Sequence, residues 1–175
     1  MRWQDQGTHL TDRHRVIPRA LCLITHGGKL LLIRAAPHKR LWAGKLNGIG
    51  GHIEPDETPL EGALREVSEE TGLQLPALRL CGIIHVADRR DPSGIMVFVY
   101  LGEAPTCEVT PSGEGTLEWH ALDALPWDEM VADMPSLVPQ VLNLAPDELL
   151  YGHYTQGENG EVVFRYMAVR GLDGN

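Results

Sequence analysis

Between Thr58 and Gly72 the chain reads TPLEGALREVSEETG, a segment whose two ends both carry helix signals. Thr58 is a good N-cap, Pro59 suits the first helical position, and Glu61 completes a capping box. Gly72 supplies a C-terminal stop. The spacing predicts a helix over Pro59 to Thr71. At 3.6 residues per turn, Glu66, Glu69 and Glu70 fall within an arc of roughly 100°. Leu60, Leu64 and Val67 lie on a neighbouring face that can be buried. The wider stretch from Gly50 to Leu73 packs seven carboxylates into 24 residues, and Arg65 is its sole Lys or Arg. Like charges at these helical spacings cost about 0.2–0.5 kcal/mol per pair. A solvated acidic face would tolerate that cost. A hard divalent cation would remove it, because such ions take carboxylate, carbonyl and water oxygens. Gly50-Gly51, just ahead of the helix, lets backbone approach a ligand closely, so a carbonyl can join the oxygen set.

Apolar runs flank this segment. VIPRALCLITHGGKLLLIR, residues 16–34, reads as two strands around a turn at His26 to Lys29. LRLCGIIHVA (78–87) and GIMVFVYLGE (94–103) read as two more strands, and GTLEWHALDALPW (115–127) as another short one. PSLVPQVLNLA (135–145) is predicted to form a helix that begins near Ser136 with Pro139 in its first turn. LLYGHYTQGENGEVVFRYMAVR (149–170) reads as a hairpin around Glu158-Asn159-Gly160. Strands with helices between them give an α/β (α+β) class: one domain over residues 16–170, an irregular arm over 1–15 and a short tail over 171–175. The chain's 175 residues suffice for one domain with a sizeable core.

A net charge of −9 argues against binding polymeric nucleic acid or an anionic membrane, both of which need a basic surface. No apolar run approaches the roughly 20 residues of a membrane span. Cys22, Cys81 and Cys107 form neither a disulfide framework nor a zinc pattern, so inert thiols in a reducing cytoplasm are expected. The loop AAPHKRLWAGKLNGIGG, from Ala35 to Gly51, reverses the sign of the charge. Lys39, Arg40 and Lys45, with Arg34 at its edge, make it either a solvated loop or a place for anionic groups.

The spacing G-x5-E-x7-R-E-U-x-E-E-x-G-U, with U aliphatic, is filled by Gly51, Glu57, Arg65, Glu66, Val67, Glu69, Glu70, Gly72 and Leu73. This pattern resembles the Nudix box. The resemblance implies an α/β/α sandwich with a mixed central sheet and a C-terminal hairpin. It also implies a hydrolase of nucleoside diphosphates linked to another moiety, dependent on Mg²⁺ or Mn²⁺. GKLNGIGGHIEPDET, PSGEGTLEWHALDALPWDEM and the C-terminal hairpin are similar to the MutT-homologue branch, the oxidised-purine nucleoside triphosphatases. That likeness places a purine-contacting Asn on Asn47 and an additional metal-binding Glu on Glu114. Asp133 fits the first of two base-reading Asp residues. Met134 stands where the second would be, and Val131 where an aromatic base stack would be. Base recognition broader than that of a dedicated oxidised-purine enzyme is therefore expected. Trp127 and Trp42 are the candidate substitutes for the stack, or else rim and core aromatics.

By resemblance, Gly50 (through its carbonyl), Glu66, Glu69, Glu70 and Glu114 hold the metal. Glu66 or Glu69 is the general base, and Glu66 is placed first. Arg65 and Glu57 pair and orient the acids. Arg34, Lys39, Arg40 and Lys45 meet phosphates, while Asn47 and Asp133 meet the base. The expected activity converts nucleoside triphosphates to monophosphate and pyrophosphate in a monomer or homodimer. A different diphosphate substrate and a non-catalytic nucleotide sensor are the alternatives.

Overall fold

Residues 20–24 and 30–33 are buried without interruption. The strands they form must therefore be covered on both faces. The computed structural model describes residues 6–7, 13–88 and 90–171. In chain order these form β1 (Arg15–His26), β2 (Lys29–Ala35), β3 (Leu46–Asn47), α1 (Pro59–Thr71), β4 (Arg79–Val86) and β5 (Ser93–Glu103). Then follow β6 (Gly115–Ala121), a 3-10 turn (Trp127–Glu129), α2 (Met134–Leu142), β7 (Glu148–Gln156) and β8 (Val162–Arg170). Most of the expected N-terminal arm and all but Gly171 of the expected tail lie outside the described residues.

The two-residue period of a strand sorts the core into two layers. Leu21, Leu23, Leu30 and Leu32 pack with Leu137, Val138 and Val141 of α2. Cys22, Ile24, Leu31 and Ile33 face the other way, against Ala63 and Val67 of α1. One mixed sheet thus lies between two helices, in the order β3-β2-β1-β5-β4-β7-β8, with β6 paired to β2. The β1–β5 and β4–β7 pairs are parallel and the remaining pairs antiparallel.

One local departure from a flat sheet builds the site. β2 stays beside β1 only from Ile24↔Leu31 to His26↔Lys29, then diverges while pairing with β6 along its whole length. Residues 46–53 enter the gap. Asn47 and Leu46 pair with Ile33 and Arg34 of β2, and Ile49 and His52 bridge to Cys22 and Arg19 of β1. β3 falls inside the loop expected over Ala35 to Gly51, since two residues carry no periodicity.

α1 has the predicted limits. The Thr58 side chain accepts from the Glu61 N–H at 3.3 Å, Glu61 accepts from the Thr58 N–H at 2.7 Å, and Gly72 closes the helix at φ 71°. Its buried face differs from the expected one. Leu60 is 42% exposed, and Ala63, Val67, Glu70 and Thr71 take the inner positions. Small Ala63 lets the helix sit close on β1, with the Cys22 thiol 3.8 Å from the Ala63 carbonyl. α2 begins at Met134, two residues before the expected start, and Pro139 lies inside it. Pro135 occupies the first turn, where no N–H is needed; Pro139 therefore forgoes its own bond to the preceding turn.

Candidate active site

The wedge of residues 46–53 presses Gly50 and Gly51 against β1 on one side and α1 on the other. Gly50 has φ 148°, and a Cβ there would collide with the Ala20 carbonyl. A Cβ on Gly51 would collide with the Glu66 carboxylate. The two glycines form a saddle between two cavities, and both cavities are lined by them.

The first cavity, about 460 Å³, gathers Glu66, Glu69, Glu70 and Glu114 around the saddle. Arg65, beside the cavity, is the counter-charge to Glu66 and Glu69. The guanidinium meets Glu57 through two bonds, Nε to Oε2 at 3.0 Å and Nη2 to Oε1 at 2.7 Å. Its Nη1 reaches Glu66 Oε1 at 2.9 Å and Glu69 Oε2 at 3.0 Å, and Nη2 also donates to the His52 carbonyl at 2.9 Å. Those bonds, with the Glu54 N–H, hold the Glu57 carboxyl down at about 2. The repulsion expected among the three helix acids is thus already relieved for Glu66 and Glu69.

Glu70 differs. It is 7% exposed and accepts the Gly50 N–H at 3.1 Å. Burial, then the nearby Glu66 and Glu114, push its carboxyl up to about 7 in spite of that bond. Beneath it, burial, then the nearby Glu70 and Glu66, drive the Cys22 thiol up to about 12. Cys22, Cys81 and Cys107 are all free.

The donor set suits a hard divalent ion: carboxylates, a carbonyl at a position where a side chain cannot fit, and one buried acid with no cationic partner in hydrogen-bond reach among the described residues. Among the described residues, however, no three acids or histidines are already drawn together at ligand distances. Arg65 holds Glu66 and Glu69, and Lys39 pairs with Glu114. Coordination would require these side chains to turn from their present partners.

The second cavity, about 280 Å³, opens on the α2 face of the sheet. Ile84, Val97, Val131, Leu137 and Phe164 give it apolar walls, with Arg19, Asn47, Asp133 and Tyr154 among its polar side chains. The Asn47 amide oxygen accepts the Gly48 N–H at 2.9 Å. Burial raises the Asp133 carboxyl, partly offset by a hydrogen bond from Tyr154, whose hydroxyl lies 2.7 Å from that of Tyr166. Trp42 stands on the rim, 48% exposed. At φ 57° it is the non-glycine residue in the left-handed region among the described residues, and that conformation is strained for an indole-bearing residue. Trp127 does not line this cavity.

The sequence-derived phosphate contacts separate in space. Lys39 reaches the carboxylate cavity through Glu114. Arg34, Arg40 and Lys45 line neither cavity. Arg34 shares the α2 side of β2 with Leu30 and Leu32, where Glu118 takes it at 2.6 Å and Glu129 at 2.9 Å. Lys45 donates to the Asp128 carbonyl at 3.0 Å, and Arg40 is exposed. These bonds brace the loop that carries Trp42. The sequence reading overlooked Arg19 and Tyr154, both on the cavity wall. A lone Arg in the apolar run of β1 was the available signal for the first. Tyr154 has no local signal, because its place depends on how the hairpin packs.

Residues 15–141 match the NUDIX domain family. The chain is 30% identical over 113 residues to an oxidized purine nucleoside triphosphate hydrolase of Danio rerio, spanning 65% of this chain and 71% of that protein. It is 28% identical over 113 residues to the CTP pyrophosphohydrolase of Escherichia coli (strain K12), spanning 65% and 76%. The crystal structure of a MutT protein from Bacillus halodurans shares the fold, with a TM-score of 0.70 at 24% identity over 86% of this chain and 97% of that one. The domain match runs through the acidic helix, the glycine saddle and the sheet that holds them, and the chain belongs to the Nudix family of hydrolases.

Proposed function

We propose that this hydrolase cleaves nucleoside triphosphates to the monophosphate and pyrophosphate with the help of Mg²⁺ or Mn²⁺. The observation that carries the reading is the pair of cavities joined at Gly50-Gly51: one mainly apolar with a few polar groups, the other lined by acids. A nucleotide has the same division into a flat, largely apolar base and a polyanion. The names of two relatives, an oxidized purine nucleoside triphosphate hydrolase and a CTP pyrophosphohydrolase, agree with that substrate class.

In this reading Glu66, Glu69, Glu70, the Gly50 carbonyl and Glu114 hold the cation. The bound ion supplies charge neutralisation on phosphate oxygens and a lowered pKa for the attacking water. Glu66, packed against Gly51, is the general base that takes the proton from that water as it attacks phosphorus, with Glu69 as the alternative. Arg65, fixed by Glu57, steers both side chains. Lys39 turns from Glu114 to a distal phosphate. Asn47 and Asp133 meet base edges, and the apolar walls exclude water from the ring.

The test is a panel of nucleoside triphosphates, nucleotide sugars and dinucleotides incubated with Mg²⁺, Mn²⁺ or excess chelator, with products separated chromatographically. Monophosphate and pyrophosphate should form from triphosphates and vanish with chelator. Turnover confined to nucleotide sugars or dinucleotides, or undiminished by chelator, would refute the proposal.

A further inference from the structure

Arg19 occupies a position that no role above uses. It lies on β1 on the side of Leu21 and Leu23 and lines the apolar cavity. Its Nη2 lies 3.0 Å from His52 Nε2, and His52 lines the carboxylate cavity. Arg19 therefore spans the saddle where the two cavities meet. Its backbone is fixed there by the Arg19↔His52 bridge and by the Ala20 N–H donating to the Gly51 carbonyl at 2.9 Å.

Arg19 Nε is buried and has no hydrogen-bond partner, the one such side-chain nitrogen or oxygen among the described residues. No carboxylate among them pairs with this guanidinium, although the site is rich in acid. An orphaned buried donor is costly, and native structures leave few of them. One placed on a cavity wall points to an acceptor supplied by a ligand. A guanidinium offers two parallel N–H groups to the oxygens of a phosphate, a geometry that lysine lacks. Along a nucleotide laid across the saddle, the group between base and distal phosphates is the phosphate next to the sugar.

We infer that Arg19 binds the sugar-proximal phosphate of the substrate through Nε and Nη2. The assignment rests on the nucleotide reading above and adds a residue to it. His52 holds Nη2 in the free protein and is displaced from it, or shares it, when substrate enters.

The experiment compares a nucleoside with its 5′-monophosphate by calorimetric titration in Mg²⁺, using wild type, Arg19→Met, Arg19→Lys and His52→Ala. Methionine keeps a long unbranched stem and removes every donor. Wild type should prefer the monophosphate, and Arg19→Met should narrow that preference about tenfold or more while nucleoside affinity stays unchanged. Arg19→Lys should recover only part of it. His52→Ala, which keeps Arg19 and frees Nη2, should retain or widen it, and this variant preserves the test should Arg19→Met fold poorly. An unchanged preference in Arg19→Met, a lost preference in His52→Ala, or a wild type indifferent to the phosphate would overturn the assignment. A wild type that shows the Arg19-dependent preference yet hydrolyses no triphosphate would instead overturn the catalytic reading and leave Arg19 in place.

Discussion

Glu70 is the acid on which the cluster's electrostatics turn. Its folded-state carboxyl lies near 7 because burial disfavours the charge, whereas an unfolded chain would titrate it near 4.5. A raised acid contributes stability that is fully present below the unfolded value and is lost as pH rises through the folded one. In metal-free protein, stability should fall between about pH 4.5 and 7, with this group accounting for at most about 3 kcal/mol. Glu70→Gln should remove that part of the slope and be the more stable protein at pH 8 in chelator. Denaturant unfolding at several pH values measures it, and parallel curves for the two proteins would contradict it. Neutralising Glu66 or Glu69 should bring no such gain, since Arg65 already compensates them. Trp42 offers the opposite trade. Its left-handed backbone costs about 1–2 kcal/mol, so Trp42→Gly should unfold at an equal or higher denaturant concentration. If the indole covers the base, KM should rise on the order of tenfold in the same variant. A stability loss without a change in KM would make Trp42 a packing residue.

At the scale of elements, legibility followed the strength of local signals. α1 was readable to its limits because the cap and the stop are side-chain and backbone chemistry written into consecutive residues. Thr58→Ala should accordingly cost about 1 kcal/mol in denaturant unfolding; an unchanged midpoint would mean that tertiary packing alone holds the helix end. The buried face of α1 was harder to read. Leucines at positions 60 and 64 outweigh Ala63 in any hydrophobicity pattern, but close approach to β1 favours the small residue. In α2, Pro139 suggests a first turn near Ser136, whereas the burial of Met134 and Leu137 carries the helix start back to Met134. β3 and the divergence of β2 from β1 have no sequence signature, because they depend on register across the sheet. The same is true of Arg34, whose partners Glu118 and Glu129 lie on distant segments brought in by β6 and the 3-10 turn.

Across the whole molecule, the glycine saddle stands between a cavity on each face of the sheet. The acids on α1 belong to one cavity, and Asn47 and Asp133 to the other. With Val131 where a base-stacking aromatic would stand and Trp42 half-exposed at the cavity edge, base recognition should be broad. The most direct measurement is kcat/KM for 8-oxo-dGTP, dGTP, dATP and dCTP in wild type, Asn47→Ala and Glu69→Gln. Glu69→Gln should depress all four substrates by a similar factor, at least about 100-fold, because it strips an oxygen donor from the chemistry. Asn47→Ala should instead reorder them, by about 1–3 kcal/mol in relative kcat/KM, because polar partners in the base cavity are stranded. Reordering by Glu69→Gln, or a uniform loss with unchanged ranking in Asn47→Ala, would contradict the division of the site into a base cavity and a phosphate cavity.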